Sequence, residues 1–297
     1  MALPSEVDLR EVGPRDGLQA EAPVPVEARI RLIEALLAAG VRHIEIVSFV
    51  SPKAVPAMAG AADVVAAIGA PPGVTRTALV PNLKGAQLAL AAGVDELTVT
   101  IAASPTYNER NVHMTVDESV AAIEQVVATA SGAAVPVDTV LSCAFGSPYE
   151  GDIEPNEVAV LGRRLLATGA TSLTLADTTG MATPRRLDEV LAETGSDVGL
   201  HLHETRGTGL VNAYAGLLAG VRRFDCSVGG LGGSPFAAGA AGNVATEEMV
   251  ALLDDLGIES GIDIDALLAA SAVVEDIVEH AVPSRVAHAG PRSRLAG

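Results

Sequence analysis

The sequence predicts an α/β protein in which eight parallel strands close into a single barrel and further helices follow it. Short apolar runs alternate with Ala-rich amphipathic stretches, an alternation typical of a parallel sheet covered by helices. Eight such strand–helix units can be counted, and no G-x-G-x-x-G motif follows the first strand. A (β/α)8 TIM barrel of about 250 residues with additional C-terminal helices therefore fits the 297 residues better than a dinucleotide-binding sheet does.

The predicted strands lie at residues 7–12, 41–49, 74–80, 96–102, 135–145, 172–176, 197–203 and 222–228. Most of the stretches between them have helical spacing of apolar residues, for example from Val26 to Ala39 and from Pro184 to Glu193. After Asn243 the pattern predicts two or three helices and a polar tail. We expect one domain over residues 1–297, with the barrel at about 5–257 and a C-terminal helical extension at about 258–290.

The composition limits the core, the partners and the compartment. With four Phe, three Tyr and no Trp, the core must consist mainly of Ala, Val, Leu and Ile. The net charge of −18 disfavours nucleic acid and anionic membrane surfaces as partners. Cys143 and Cys226 are too few for a disulfide framework, so we expect two buried thiols. The first predicted strand begins near Met1 and leaves no room for a signal peptide, which predicts a cytoplasmic protein.

Polar side chains lie at the predicted C-terminal ends of several strands, where TIM barrels carry their active sites. They belong to strands 1, 2, 6 and 7 and comprise Arg15, Asp16, Gln19, Glu45, Ser48, Asp177, His201 and His203. His201 and His203 are two residues apart on one strand, so both imidazoles point to the barrel interior. This spacing is typical of metal ligands.

Other strand ends offer ligands that would complete a divalent metal site. Asp16 has a carboxylate oxygen, and Asn243 has an amide oxygen just after the Gly-rich segment 229–242. Two nitrogens and two oxygens leave two positions of an octahedral sphere for a bidentate substrate, which suits Mg²⁺ or Mn²⁺. Asn243 has an equally valid interpretation as a helix N-cap, because the helix-like residues 246–248 follow it.

Two further features have open interpretations. Arg15 either forms a salt bridge within its loop or stabilises a developing enolate oxygen. The glycines of residues 229–235 form a flexible turn, a phosphate cradle or a mobile lid. Spacing alone does not decide between these interpretations.

Several motifs, in the same order, resemble those of the hydroxymethylglutaryl-CoA lyase family, in the barrel superfamily of metal-dependent lyases and Claisen-condensing enzymes. They are EVGPRDGLQ at 11–19, EIVSFVSPK at 45–53, SPYEG at 147–151, DTTG at 177–180, HLH at 201–203, GLGGSP at 230–235 and GN at 242–243. The resemblance implies a metal bound by the four side chains Asp16, His201, His203 and Asn243. It also implies that Arg15 stabilises a thioester enolate.

The activity that the resemblance implies is a retro-Claisen cleavage of an acyl-CoA. Cleavage of hydroxymethylglutaryl-CoA would give acetoacetate and acetyl-CoA, which is a step of leucine degradation. We expect the enzyme to be a cytoplasmic homodimer. By the same resemblance, Glu45 and Asp177 are catalytic acidic residues near the metal. The side chains of Glu11, Gln19, Ser48 and Lys53 are expected to bind the substrate. For Lys53 the expected contact is a coenzyme A phosphate, and a solvated surface lysine is the more common alternative.

Two residues depart from the motifs of this family. Ser234 stands where the family typically carries a cysteine, and Glu204 stands where an aspartate usually follows the H-x-H motif. We expect Ser234 to be a catalytic residue with altered proton donation to the enolate. We expect Glu204 to alter the support of the metal ligands. Another branched 3-hydroxy acyl-CoA, such as citramalyl-CoA, is therefore an alternative substrate.

Three other classes of protein are alternatives to the lyase. A Claisen-condensing synthase of the isopropylmalate or homocitrate type shares the metal site, but usually extends further beyond the barrel than the residues after Asn243 do here. Two histidines and a carboxylate also form the facial triad of non-haem Fe(II) oxygenases. A non-catalytic binding protein would not need so many polar groups at strand ends.

Overall fold

The computed structural model describes residues 3–233 and 242–293, in which eight parallel strands form a closed barrel. Each strand pairs with the next, and the eighth pairs with the first. The predicted TIM barrel is confirmed. Its strands are β1 (Asp8–Glu11), β2 (His43–Ser48), β3 (Thr75–Leu79), β4 (Glu96–Ala102), β5 (Val137–Ser142), β6 (Ser172–Ala176), β7 (Gly199–His201) and β8 (Arg223–Cys226).

Helices surround the barrel and continue beyond it. They are α1 (Val26–Ala38), α2 (Ala61–Ile68), α3 (Leu83–Ala92), α4 (Pro105–Val112), α5 (Val116–Gly132), α6 (Pro155–Ala167), α7 (Pro184–Thr194), α8 (Gly209–Ala219), α9 (Thr246–Leu256), α10 (Ile264–Val278) and α11 (Arg285–Ala289). The two helices predicted from spacing, α1 and α7, agree with the prediction to one residue at their ends. Among the described residues, three α-helices follow β8, which agrees with the additional C-terminal helices of the predicted fold.

Local signals explain where several of these helices begin. The side chains of Asn82, Ser104 and Thr183 accept hydrogen bonds from the first turns of α3, α4 and α7. Thr115 forms a reciprocal capping box with Glu118 at the start of α5. Asn82 and Ser104 closely follow the ends of β3 and β4, so these two side chains help to fix the loops at the barrel mouth.

The core is aliphatic, as the composition predicts. Val, Leu, Ile and Ala side chains from the strands and the inner helix faces form one large buried cluster, and Phe145 is among its few aromatic members. Cys143 and Cys226 are both buried free thiols. Within the described parts of the chain, no helix is long and apolar enough to cross a membrane.

The last two strands are shorter than the predicted ranges 197–203 and 222–228. After β7 the chain leaves the barrel ladder, and His203 forms an isolated antiparallel bridge with Asn243. The backbone N–H of Glu204 donates to the carbonyl of Gly242, at 3.0 Å, and that of Val244 donates to Leu202, at 3.1 Å. The segment after β8 therefore returns across the end of β7, which brings Asn243 to the barrel mouth.

Candidate active site

Three side chains from two strand ends converge at the barrel mouth. Asp16 lies in a short π-helical turn, Gly13–Gly17, that follows β1, and His201 and His203 lie at and just after the end of β7. One potential ligand atom from each lies within 4.8 Å of the others. The Nε2 atoms of the two histidines are 3.1 Å apart, and His201 Nε2 is 3.9 Å from Asp16 Oδ2. Such convergence of imidazole and carboxylate groups is the arrangement of a metal site.

Asn243 adds an amide to this group. Its Nδ2 donates to Asp16 Oδ2, at 2.8 Å, and to the carbonyl of Leu231, at 3.0 Å. Its Oδ1 is buried and has no hydrogen-bond partner. The N-cap residue of α9 is Ala245, so the helix-cap interpretation of Asn243 is wrong. A buried amide oxygen without a partner, beside two imidazoles and a carboxylate, fits the donor set of a Mg²⁺- or Mn²⁺-type cation.

Neighbouring charges shift the pKa values of the two candidate ligands Asp16 and His201. Burial alone raises the pKa of Asp16, but the neighbouring Arg15 and His201 outweigh it and hold that pKa below its ordinary value. Burial alone lowers the pKa of His201, yet its hydrogen bond to Asp225 and the charge of that carboxylate raise it. His201 Nδ1 lies 3.0 Å from Asp225 Oδ2, which leaves Nε2 as the nitrogen facing His203.

Arg15 lies beside the ligands and its side chain is largely buried. Its Nε donates to Glu45 and its Nη1 donates to Asp16 Oδ1, at 2.6 Å. Burial disfavours the charged guanidinium, but Glu45 and Asp16 outweigh burial and raise the pKa of Arg15. Arg15 therefore forms salt bridges within the site and also lines the cavity described below. The structure is compatible both with a salt-bridge role and with stabilisation of an enolate oxygen.

The two acidic residues predicted to be catalytic, Glu45 and Asp177, are buried behind the cavity wall. Glu45 accepts a hydrogen bond from Arg15 through one oxygen, and its other oxygen has no partner. Asp177 accepts from the backbone N–H of Ala182, at 2.8 Å, and its Oδ2 is likewise unpartnered. Burial raises the pKa of Asp177 to about 7. A carboxyl group with that pKa can exchange a proton at neutral pH.

A cavity of about 480 Å³ opens over the candidate ligands. Gln19 and Ser48 line it, as do Arg15 and Asp16. Lys53 is exposed, and its neighbours Ala54 and Val55 line the cavity. A wider groove of about 640 Å³ lies between α4, α5 and α6, but six acidic side chains and only one basic side chain, Arg164, line it, so it would repel coenzyme A phosphates.

Comparison with known proteins identifies the family. The profile of the HMGL-like family matches residues 6–274. The chain belongs to the HMGL-like family. The resemblance drawn from the motifs is thereby confirmed, as is the expectation of a lyase.

The HMGL-like relatives match along nearly the whole chain. A 3-hydroxy-3-isohexenylglutaryl-CoA/hydroxymethylglutaryl-CoA lyase from Pseudomonas aeruginosa is 45% identical over 295 residues, which cover 97% of this chain and 98% of the relative. The mitochondrial hydroxymethylglutaryl-CoA lyase of Gallus gallus is 40% identical over 98% of this chain and 100% of its own length. This chain is therefore similar to both lyases along nearly its whole length.

Two solved structures of the HMGL-like family superpose on the barrel. The Pseudomonas aeruginosa hydroxymethylglutaryl-CoA lyase is 44% identical, with a TM-score of 0.92 and coverage of 97% of this chain and 98% of that chain. The lyase from Acinetobacter baumannii, solved in complex with coenzyme A and 3-methylmalate, is 40% identical, with a TM-score of 0.93 and coverage of 100% and 99%.

One expectation drawn from the HMGL-like motifs needs correction. Glu11 was expected at the substrate, but its carboxylate does not line the cavity. Its Oε1 accepts from the backbone N–H groups of Gly13, at 2.7 Å, and Val228, at 2.9 Å, and its Oε2 accepts from Thr246 Oγ1, at 2.6 Å. Burial raises the pKa of Glu11 to about 7. Glu11 thus joins the turns after β1 and β8 to α9.

The support of one histidine ligand comes from a residue that the motifs did not indicate. Asp225 of β8 lies beside His201, with Oδ2 3.0 Å from Nδ1. The signal was present in the sequence, because the carboxylate of Asp225 lies between the apolar residues Phe224 and Cys226 within the predicted strand 222–228. Glu204 Oε1 accepts from the backbone N–H of Leu210 at the start of α8, at 2.7 Å, and its effect on the ligands stays a prediction. Ser234 lies outside the described residues, so its place in the HMGL-like site stays a prediction.

The Gly-rich segment after β8 begins with left-handed backbone. Gly229, Gly230 and Gly232 have φ values of 71°, 72° and 114°. A Cβ atom added to Gly232 would stand 2.5 Å from Asn243 Nδ2, and one added to Gly242 would stand 1.8 Å from the carbonyl oxygen of Gly230. Glycine at these positions therefore permits the close approach that holds Asn243 beside Asp16.

Proposed function

We propose that this chain is a divalent-metal-dependent lyase that cleaves hydroxymethylglutaryl-CoA to acetoacetate and acetyl-CoA. The observation that carries the proposal is the unpartnered, buried amide oxygen of Asn243 beside Asp16, His201 and His203. A site of three ligands alone would equally suit a non-haem iron oxygenase. The fourth, oxygen donor favours a cation that holds a hydroxyl and a carboxylate of the substrate.

The proposed metal site consists of Asp16, His201, His203 and Asn243. When bound there, Mg²⁺ or Mn²⁺ would lower the pKa of the substrate hydroxyl and polarise its carboxylate. These four side chains come from segments that the barrel fold and the antiparallel bridge between His203 and Asn243 hold together. Preorganised ligands of this kind orient the substrate relative to the cavity wall.

The proton and the negative charge would be handled by side chains in the cavity wall and directly behind it. Asp177, with one unpartnered oxygen and a pKa of about 7, has the properties of a group that takes the hydroxyl proton. Cleavage of the Cα–Cβ bond would leave the electron pair on a thioester enolate. Arg15 lines the cavity and would stabilise that enolate oxygen, while Glu45 holds the guanidinium in place. We propose Ser234 as the donor that protonates the enolate carbon.

The substrate class beyond hydroxymethylglutaryl-CoA depends on the apolar part of the cavity. Val99, Met114, Ile123 and Val126 line it. A related lyase from Pseudomonas aeruginosa is named for a substrate with an isohexenyl branch as well as for the methyl compound. A 3-hydroxy-3-alkylglutaryl-CoA with a longer branch is therefore the second candidate, ahead of citramalyl-CoA. The lyase relatives also favour cleavage over Claisen condensation.

Acyl-CoA binding is proposed with Gln19, Ser48 and Lys53 at the substrate. Gln19 and Ser48 line the cavity, and the hydroxyl of Ser48 is buried without a partner. Lys53 lies on the exposed loop after β2, from which an ammonium group can meet a phosphate. We further propose a cytoplasmic homodimer.

The proposal is tested with purified protein stripped of metal by a chelator and then supplied with Mg²⁺ or Mn²⁺. Hydroxymethylglutaryl-CoA, its isohexenyl analogue and citramalyl-CoA are offered separately, and acetyl-CoA is measured by chromatography. We expect metal-dependent release of acetyl-CoA and acetoacetate from the first substrate. The proposal fails if none of the three acyl-CoAs yields acetyl-CoA at saturating metal.

A further inference from the structure

Arg10 is a buried arginine in β1 whose guanidinium lies inside the barrel, below the candidate ligands. Its Nε and Nη2 donate to the two oxygens of Asp225 in β8, each at 2.8 Å. Its Nη1 donates to Asp138 Oδ2 in β5, also at 2.8 Å. The bidentate contact fixes both the position and the plane of the Asp225 carboxylate, which a single hydrogen bond cannot do.

Asp225 carries this constraint to the candidate metal ligand His201. The Oδ2 that accepts from Arg10 Nη2 is also 3.0 Å from His201 Nδ1. A proton held on Nδ1 by that carboxylate leaves the lone pair on Nε2, the nitrogen that lies 3.1 Å from His203 Nε2. The orientation of the His201 ring therefore depends on where Arg10 places Asp225.

We propose that Arg10 is a positioning residue for the metal centre, acting on His201 through Asp225. The inference rests on the proposed metal-dependent function, because it assigns Arg10 a role toward the metal. Arg10 lines the floor of the active-site cavity, but three of its donors are already engaged by Asp225 and Asp138. It therefore acts through Asp225 and not by contact with the substrate.

A purely structural role would make Arg10 a counter-charge for two buried carboxylates. The two aspartates allow these roles to be separated, because only Asp225 contacts His201. Asp138 has its own supports: its oxygens accept from Ser172 Oγ, at 2.7 Å, and Thr174 Oγ1, at 2.9 Å. Loss of the Arg10–Asp138 ion pair should lower stability, whereas loss of the Arg10–Asp225 contact should also weaken metal binding.

The test measures Mn²⁺ affinity, by the EPR signal of free Mn²⁺ and without substrate, in the wild type, Arg10→Met and the matched control Asp138→Asn. Outer-sphere partners of histidine ligands typically contribute about 10- to 100-fold to metal affinity, so we expect Arg10→Met to weaken Mn²⁺ binding by that factor. Asp138→Asn should keep the wild-type affinity. Unfolding in urea with EDTA measures how much stability each variant loses.

The outcomes separate the two roles. Wild-type Mn²⁺ affinity in Arg10→Met, or an equal loss of affinity in Asp138→Asn, would overturn the proposal. If Arg10→Met does not fold, Arg10→Lys takes its place, since it keeps a charge but cannot form two parallel bonds to Asp225. We then expect a smaller loss of affinity, and no loss would overturn the proposal.

Failure of the proposed function gives a different result. A wild type that binds Mn²⁺ but cleaves no acyl-CoA would contradict the proposed function alone. A wild type that cleaves hydroxymethylglutaryl-CoA, with unchanged Mn²⁺ affinity in the Arg10 variants, would contradict this inference alone. In an active enzyme, saturating Mn²⁺ should restore the kcat of Arg10→Met, because the ligands themselves are intact.

Discussion

Replacing Arg15 by methionine tests the proposed stabilisation of the enolate. Methionine removes every donor of the guanidinium while retaining an apolar chain on the cavity wall. Loss of one preorganised donor to a developing oxyanion costs about 2.7–4 kcal/mol, which corresponds to a decrease in kcat of roughly 10²- to 10³-fold. We expect a decrease of that size with little change in the Michaelis constant.

The same substitution removes a buried ion pair. The side chain of Glu45 is 1% exposed, and its second oxygen already has no partner. Removing one member of a buried pair costs about 3–5 kcal/mol, so the free energy of unfolding should also fall. Because Arg15 opposes the effect of burial on the pKa of Asp16, that pKa should rise in the variant. Mn²⁺ affinity should therefore fall more at pH 5 than at pH 8.

The double variant Arg15→Met/Glu45→Gln separates the two effects. A neutral glutamine needs no counter-charge, so stability measured by urea unfolding should largely return. The kcat for hydroxymethylglutaryl-CoA should stay low, because the donors are still missing. Recovery of kcat in the double variant would refute the role at the transition state. A change confined to the Michaelis constant in Arg15→Met would mean that Arg15 only binds the substrate.

Substitutions at three further positions test the other proposed roles. His203→Ala should abolish Mn²⁺ binding, measured by EPR. The variant should keep the circular dichroism of the wild type, because His203 lies at the barrel rim and outside the aliphatic core. Retained Mn²⁺ binding would show that His203 is not a ligand. Burial raises the pKa of Asp177 from 3.8 to about 7. Between these two pH values the carboxyl group is ionised in the unfolded chain but protonated in the folded protein, so the free energy of unfolding falls as pH rises. Asp177→Asn should therefore stabilise the protein by on the order of 4 kcal/mol at pH 8 and by less at pH 5, as measured by urea unfolding. An equal gain in stability at pH 5 and pH 8 would contradict the burial argument. Ser234→Cys should raise the kcat for hydroxymethylglutaryl-CoA if Ser234 donates the proton, with a larger gain at mildly alkaline pH, and a silent Ser234→Ala would exclude that role.

The barrel could be predicted from sequence because its signal is repeated eight times. Most strands lie in short runs that are apolar or alternate between apolar and polar residues, and the helices α1 and α7 follow from the spacing of apolar residues alone. Strand ends were less predictable. The range 197–203 is too long because His203 leaves the barrel ladder to bridge Asn243, and that pairing joins residues far apart in sequence.

The candidate ligands could be predicted because each is a polar residue at a strand end or in a recognisable motif. The contacts behind them could not. Arg10 reaches Asp138 and Asp225 across the barrel interior, and such pairs depend on the register of strands that are distant in sequence. Glu11 was assigned to the substrate because it shares a motif with Arg15, yet its place in β1 directs it to backbone donors.

The hydrogen bond between Asp16 and Asn243 joins residues that are 227 positions apart in the chain. During synthesis Asp16 is added to the chain early, and Asn243 is added only after the last strand has been made. Throughout that interval the nascent chain contains Arg15 and Asp16 but not the segment that returns across β7. The site therefore cannot form on any shorter N-terminal product, however many strands that product has already folded. Premature termination between Cys226 and Asn243 would yield a chain with all eight strands and an incomplete ligand set.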